Sequence, residues 1–319
     1  MGAATVPRSN VDREGSGAGT GSVPVAWPGT RLSLGTLFNA NACRKPGGTP
    51  FGRYGSAVHW GLSVSLGGEL ADPNAVASVA AAAENAGWDG VFVWDHLWHR
   101  DGAPFADPFV TLSAIALATS LVRIGPLVTP LPRRRPAVVA QQASSVDRLS
   151  GGRLTLGLGL GHDRYGEYSD VGDDLGDDAK ARANRLDDGL EFLLPALAGE
   201  PVPAAGNRRT TVACTQRPRC PIWVAGSAGK SAGPRRAARH GLEGVAIVGG
   251  GEWLPEHAET VRAESSAHGL DQLEVVLVGG THDDPGELAA AGATWLIPEL
   301  LPGTTIAEAT AIASAGPPD

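Results

Sequence analysis

The sequence predicts an α/β protein: a single TIM-type (β/α)8 barrel over residues 58–319, preceded by a disordered N-terminal extension over residues 1–57. Three observations predict it. Short apolar runs alternate with helical segments eight times over about 260 residues, the span of a (β/α)8 barrel. The runs are continuously apolar instead of alternating, which suits parallel strands covered on both faces. The first 57 residues follow neither period and are rich in Gly, Ser, Pro, Asn and Arg, so burial there cannot offset the entropy of ordering.

Each element has its own local signal. Val58–Leu66 reads as the first strand. Asp72-Pro73 then opens a helix over Asn74–Asn85, with Asp as the N-cap and Pro at the first position, and Gly87 stops it. Gly90–Trp94 is the second strand and runs into Asp95-His96. Asp107-Pro108 repeats the helix start and leads through Phe109–Thr119. Ile124–Thr129 is the third strand, Pro136–Leu149 its helix, and Arg153–Leu158 the fourth strand. Residues 162–178 form an excursion with seven acids among 17 residues, read either as a mobile lid or as a polar loop. A helix over Ala179–Leu197 follows, then a long irregular segment, Gly199–Arg219. Four strands complete the set: Pro221–Ala225, Gly244–Val248, Leu273–Val278 and Thr294–Ile297. Their helices are Gly233–His240, Leu254–His268, Asp284–Ala291 and Ile306–Ala313.

Composition narrows the function. A formal net charge of −8 argues against a nucleic-acid partner. No apolar run approaches a membrane span, no secretory h-region opens the chain, and the three cysteines are not spaced as a metal or redox motif. The expectation is a cytoplasmic enzyme acting on a small molecule.

In a barrel the active site sits at the carboxyl ends of the strands, which turns the strand list into a site list. His96, beside Asp95, is the strand-end side chain suited to proton transfer near neutral pH; the plain alternative is a histidine hydrogen-bonded at a strand end. His96 and His99 form H-x-x-H, but no third metal ligand is evident, so no metal is expected. Gly157-Leu158-Gly159-Leu160-Gly161 brings bare backbone to a strand end, where a flat ligand can lie against it. Gly226-Ser227-Ala228-Gly229-Lys230-Ser231 is not a P-loop, because Val224 stands where the first glycine belongs. It still offers backbone N–H groups and a helix amino end to a phosphate. Arg133-Arg134-Arg135 offers cations on the same side, either for phosphates or for neighbouring acids.

Gly87-Trp88-Asp89-Gly90-Val91-Phe92-Val93-Trp94-Asp95-His96-Leu97, Asp107-Pro108, Asp147-Arg148-Leu149-Ser150-Gly151-Gly152-Arg153, Pro221–Gly226 and Gly292-Ala293-Thr294-Trp295 together resemble the luciferase-like monooxygenase family. The resemblance implies a flavin-dependent oxidoreductase on a barrel of this kind. It places the family's histidine on His96, its non-proline cis peptide against the flavin ring on Leu127-Val128 with Thr129 next, and its phosphate loop on Gly226, Ser227, Ala228 and Gly229. Gly159 and Gly161 would wall the ring. Leu160 and Gly159 stand where the luciferase branch has a phosphate-binding arginine and a reactive cysteine, so the phosphate must be held elsewhere. The first expectation is a monooxygenase using reduced FMN and O2, served by a separate flavin reductase and assembled as a homodimer. The alternatives are a hydride-transfer dehydrogenase or reductase using the deazaflavin coenzyme F420, and a barrel that binds flavin without turnover.

Overall fold

A computed structural model describes residues 58–318, apart from 101, 177, 205–206, 271–272 and 282–283. The expected N-terminal extension lies outside these residues. Among the described residues ten strands form one parallel barrel sheet accompanied by eight helices, and two further strands form a separate hairpin. In chain order the first half comprises β1 His59–Val64, α1 Pro73–Ala86, β2 Gly90–Val93, α2 Pro108–Ala118, β3 Arg123–Pro126, β4 Thr129–Pro130, α3 Pro136–Leu149, β5 Leu156–Gly159 and α4 Ala179–Ala198. The second half comprises β6 Val202–Ala204, β7 Asn207–Arg209, β8 Ile222–Gly226, α5 Ala232–His240, β9 Gly244–Glu252, α6 Pro255–Ala267, β10 Glu274–Thr281, α7 Pro285–Ala290, β11 Trp295–Ile297, β12 Glu299–Leu300 and α8 Ile306–Ala315.

The strands pair in the order β3-β2-β1-β11-β10-β9-β8-β5-β4, all in parallel, with β12 extending the β11 position against β1. The three Asp-Pro helix starts act as expected. Asp72 accepts from Asn74 N–H, Asp107 from Phe109 and Val110 N–H, and Asp284 from Gly286 and Glu287 N–H.

Two sequence expectations need correction. The third strand is not continuous over Ile124–Thr129. It is β3 paired to β2, a cis peptide at Leu127-Val128, and then β4 paired to β5, so the chain changes partner at the cis bond. The segment Gly199–Arg219 is not wholly irregular either. It contains an antiparallel hairpin, β6 with β7, whose three-residue strands are too short to show a period, with Pro203 inside one of them.

The barrel closes where Ile124 N–H donates to Arg153 O (3.0 Å) and Thr155 N–H donates to Ile124 O (2.8 Å). Closure requires glycine at 125, because a Cβ there would sit 1.8 Å from Thr155 O. Gly125→Ala is therefore expected to lower stability by on the order of 3 kcal/mol, the upper end of overpacking costs. A urea denaturation midpoint unchanged by this substitution would show that the strands do not approach as described.

The barrel interior is filled by Phe92, Trp223, Trp295, Val276 and Ile297, with the Phe92 ring 5.3 Å from Trp223 and 5.8 Å from Trp295. At its amino end Arg123 pairs with Glu274 at 2.8 Å, and Glu274 also accepts from the indole N–H groups of Trp223 and Trp295. This plug fills the lower barrel and leaves the carboxyl ends of the strands to form the site. A second, larger core lies between the sheet and the helices.

Candidate active site

A cavity of about 340 Å³ opens at the carboxyl ends of the strands. Trp94, Asp95, His96 and His99 line it from the segment after β2, and Leu127, Val128 and Pro130 from the third barrel position. Gly161, His162, Arg164, Tyr165 and Glu167 line it from the excursion after β5, Val248 and Gly249 from β9, and Glu299 from β12.

His96 is held by a partner that the sequence did not single out. Its Nδ1 lies 2.9 Å from Glu167 Oε2, while Glu167 Oε1 accepts from Leu97 N–H at 2.7 Å and from Arg133 Nη1 at 2.6 Å. Glu167 is 2% exposed. Burial opposes its charge, but the His96 hydrogen bond and charge, the Leu97 N–H and the Arg133 guanidinium outweigh burial and hold it below the usual carboxylate range. An ionised carboxylate only accepts, so Nδ1 must donate. In the neutral imidazole, Nε2 then carries the lone pair.

The network continues through the arginine triplet. Arg133 Nη2 donates to both the backbone O and Oδ1 of Asp95, each at 2.8 Å, and Arg134 donates to both carboxylate oxygens of Asp95, each at 2.8 Å. Arg134 also lies 3.7 Å from Asp107, the cap of α2. Burial would depress the Arg134 guanidinium, but hydrogen bonding and charge from Asp95 raise it above its ordinary value. Arg133 and Arg134 thus serve neighbouring acids. Of the two roles open to the triplet, these two residues take the structural one. The Asp95 side chain is fully buried among these guanidinia, with both oxygens engaged, which suits holding the loop better than moving protons.

The excursion folds on its own acids. Asp163 accepts from the N–H groups of Tyr168 and Ser169, Asp173 pairs with Arg185 at 3.0 Å, and Asp178 caps α4. The indole of Trp98 donates to Tyr165 O. Nothing in a run of seven acids marks Glu167 as the one turned inward, because the excursion has no period to read.

The other predicted residues divide clearly. Leu127, Val128 and Gly161 line the cavity with His96. Thr129 and Gly159 do not. Gly159 is buried between Val128 and Ala225, where a Cβ would meet Val128 Cγ2 at 2.7 Å. Gly226–Lys230 lies at the end of β8, at the same end of the barrel, outside the cavity lining. Among the described residues the N–H groups of Ala228 and Gly229 have no acceptor, and α5 begins three residues further on, at Ala232, with no side-chain cap. These free donors fit a phosphate. Among the described residues no group of three His, Cys, Asp or Glu side chains is arranged to hold a metal ion.

The family model for luciferase-like monooxygenases matches residues 53–296. The chain belongs to the luciferase-like monooxygenase family. As an enzyme of this family it is 31% identical over 246 residues to an F420-dependent glucose-6-phosphate dehydrogenase of Beutenbergia cavernae, covering 73% of this chain and 71% of that one. Two solved structures share the fold. The F420-dependent tetrahydromethanopterin reductase of Methanopyrus kandleri gives a TM-score of 0.63 at 15% identity, over 81% of this chain and 98% of that one. A monooxygenase of Streptomyces bottropensis gives 0.62 at 19% identity, over 80% of this chain and 96% of that one. Among the described residues no helix of this luciferase-like enzyme is long and apolar enough to cross a membrane.

Proposed function

We propose that this enzyme is an F420-dependent dehydrogenase or reductase that moves hydride between the deazaflavin and a small alcohol or carbonyl compound. The observation that carries this reading is the similarity, above 30% identity, to a relative named as F420-dependent. Oxygenation with reduced FMN, the first expectation from sequence, has weaker support, because the monooxygenase neighbour shares the fold at only 19% identity.

The residues present fit such a coenzyme. Leu127, Val128 and Gly161 offer a flat wall in the cavity, and the free N–H groups of Ala228 and Gly229 with the start of α5 would receive a side-chain phosphate. When bound, the deazaflavin supplies a two-electron hydride acceptor or donor. His96 provides the proton chemistry: Nδ1 is committed to Glu167, so Nε2 is the nitrogen left to take a hydroxyl proton as the carbinol hydrogen departs as hydride. Glu167 holds the ring and favours the imidazolium that forms, and Asp95 with Arg133 holds Glu167 in place.

The test is a fluorescence titration of the purified protein with F420 and, separately, with FMN, followed by turnover assays of F420-loaded protein against alcohols. Binding of F420 and its reduction without oxygen uptake are expected. Tight FMN binding with oxygen consumed in step with substrate would overturn the reading.

A further inference from the structure

Three carboxyl groups line the cavity, and only two of them are neutralised. Asp95 and Glu167 are ion-paired to arginines. Glu299 is not: among the described residues no lysine or arginine pairs with it, although it is largely buried. It begins β12, opposite Ser63 of β1, and lines the same cavity as Glu167.

The neighbouring backbone makes room for this carboxyl. Gly279, near the end of β10, has φ +76°, and a Cβ there would lie 2.2 Å from Glu299 Oε2. Any other residue at 279 would be strained and would occupy the place of the carboxyl. The Trp94 indole, which donates to Ser63 Oγ at 3.0 Å, is also in hydrogen-bond reach of Glu299. Two strand ends and an aromatic side chain therefore frame an acid that faces the same space as His96, with no hydrogen bond between the two.

Taking the hydride-transfer reading as its basis, we propose that Glu299 is a second catalytic residue, which in its carboxylic acid form donates a hydrogen bond to the reacting oxygen of the alcohol or carbonyl substrate in the cavity it shares with His96. In the oxidative direction His96 Nε2 takes the hydroxyl proton, the carbinol C–H bond breaks with its electron pair leaving as hydride for F420, and the C–O bond becomes double. Negative charge gathers on the oxygen as its proton departs. The Glu299 O–H stabilises that charge and keeps its own proton, whereas a carboxylate would repel it.

The surroundings favour the acid form. Ser63 of β1 and Gly279 of β10, which lie against Glu299, do not titrate. Burial pushes Glu299 up to about 7, against the opposing pull of His96 and the Trp94 hydrogen bond. Turnover should therefore fall on the alkaline side as Glu299 ionises.

The test combines two readouts. In protein labelled with ¹³C at the glutamate carboxyls and free of coenzyme, one resonance is expected to titrate near neutrality and to vanish in Glu299→Gln. Titration of every glutamate in the ordinary range overturns the proposal. In F420-loaded protein, Glu299→Ala is expected to lower kcat roughly 10²-fold. Glu299→Gln keeps a neutral donor, so it should recover much of that loss and abolish the alkaline limb of the kcat profile. A limb retained in Glu299→Gln overturns the proposal. F420 affinity, followed by fluorescence, is expected to be unchanged in both variants. Failure of the parent protein to bind F420 overturns the hydride-transfer reading, and the coenzyme-free titration then decides the protonation claim separately.

Discussion

Replacing His96 with alanine is expected to lower kcat by roughly 10²–10⁴-fold, the range of a positioned acid–base group, with little change in F420 affinity. The expectation rests on position. His96 lines the cavity beside Val128, its Nδ1 is taken by Glu167, and its Nε2 has no partner among the described residues. An alanine leaves the cavity wall and the Ala228–Gly229 donors intact, so coenzyme binding has no reason to fail. The measurement is kcat with F420 affinity determined alongside. Turnover within a few fold of the parent would remove His96 from the mechanism. Glu167→Gln should reproduce part of the loss, because an amide cannot hold the imidazolium as a carboxylate does, and its N–H groups would confront Arg133 and Leu97 N–H.

Asp95→Ala is expected to destabilise the fold by about 3–5 kcal/mol, the cost of breaking a buried ion pair by removing one partner. Arg133 is 6% exposed and shares Asp95 and Glu167, while Arg134 has only Asp107, at 3.7 Å, as a second acid. Without Asp95 the two guanidinia lose the carboxylate that they share. Urea denaturation gives the free energy, and a loss below about 1 kcal/mol, typical of exposed pairs, would mean that the network does not hold the loop. The same network sets a pH dependence. Glu167 is held below its ordinary value of 4.5, so its contribution is present above that value and is lost as pH falls through the folded-state pKa. Stability measured on descent below pH 4.5 should drop more steeply in the parent than in Glu167→Gln.

Much of the fold was legible because its signals are local. Asp72, Asp107 and Asp284 each precede proline, and a carboxylate one residue before a helix can hardly do other than cap it. Continuous apolar runs at eight places leave few architectures besides a parallel barrel. The site was legible in part. His96 stood out by residue type at a strand end, and Leu127-Val128 came from resemblance to a family, since nothing in those two residues announces a cis bond. The β6–β7 hairpin was missed because three residues carry no period. The third strand was read as one piece because its apolar run does not record that it pairs with β2 before Leu127 and with β5 after Val128.

The sequence by itself determined the order of strands and helices and the end of the barrel at which the candidate site with His96 lies, since each depends on contacts within a few residues. The tertiary structure alone decided which charges are spent and which are available. Arg133 reaches back to Asp95 and forward to Glu167, 38 and 34 residues away, and Glu299 shares a cavity with His96 only because β12 lies beside β1 in a closed sheet. A charge at one position says nothing of the partner that folding brings to it, and that partner separates a buried strut from an acid able to hold a proton near neutral pH.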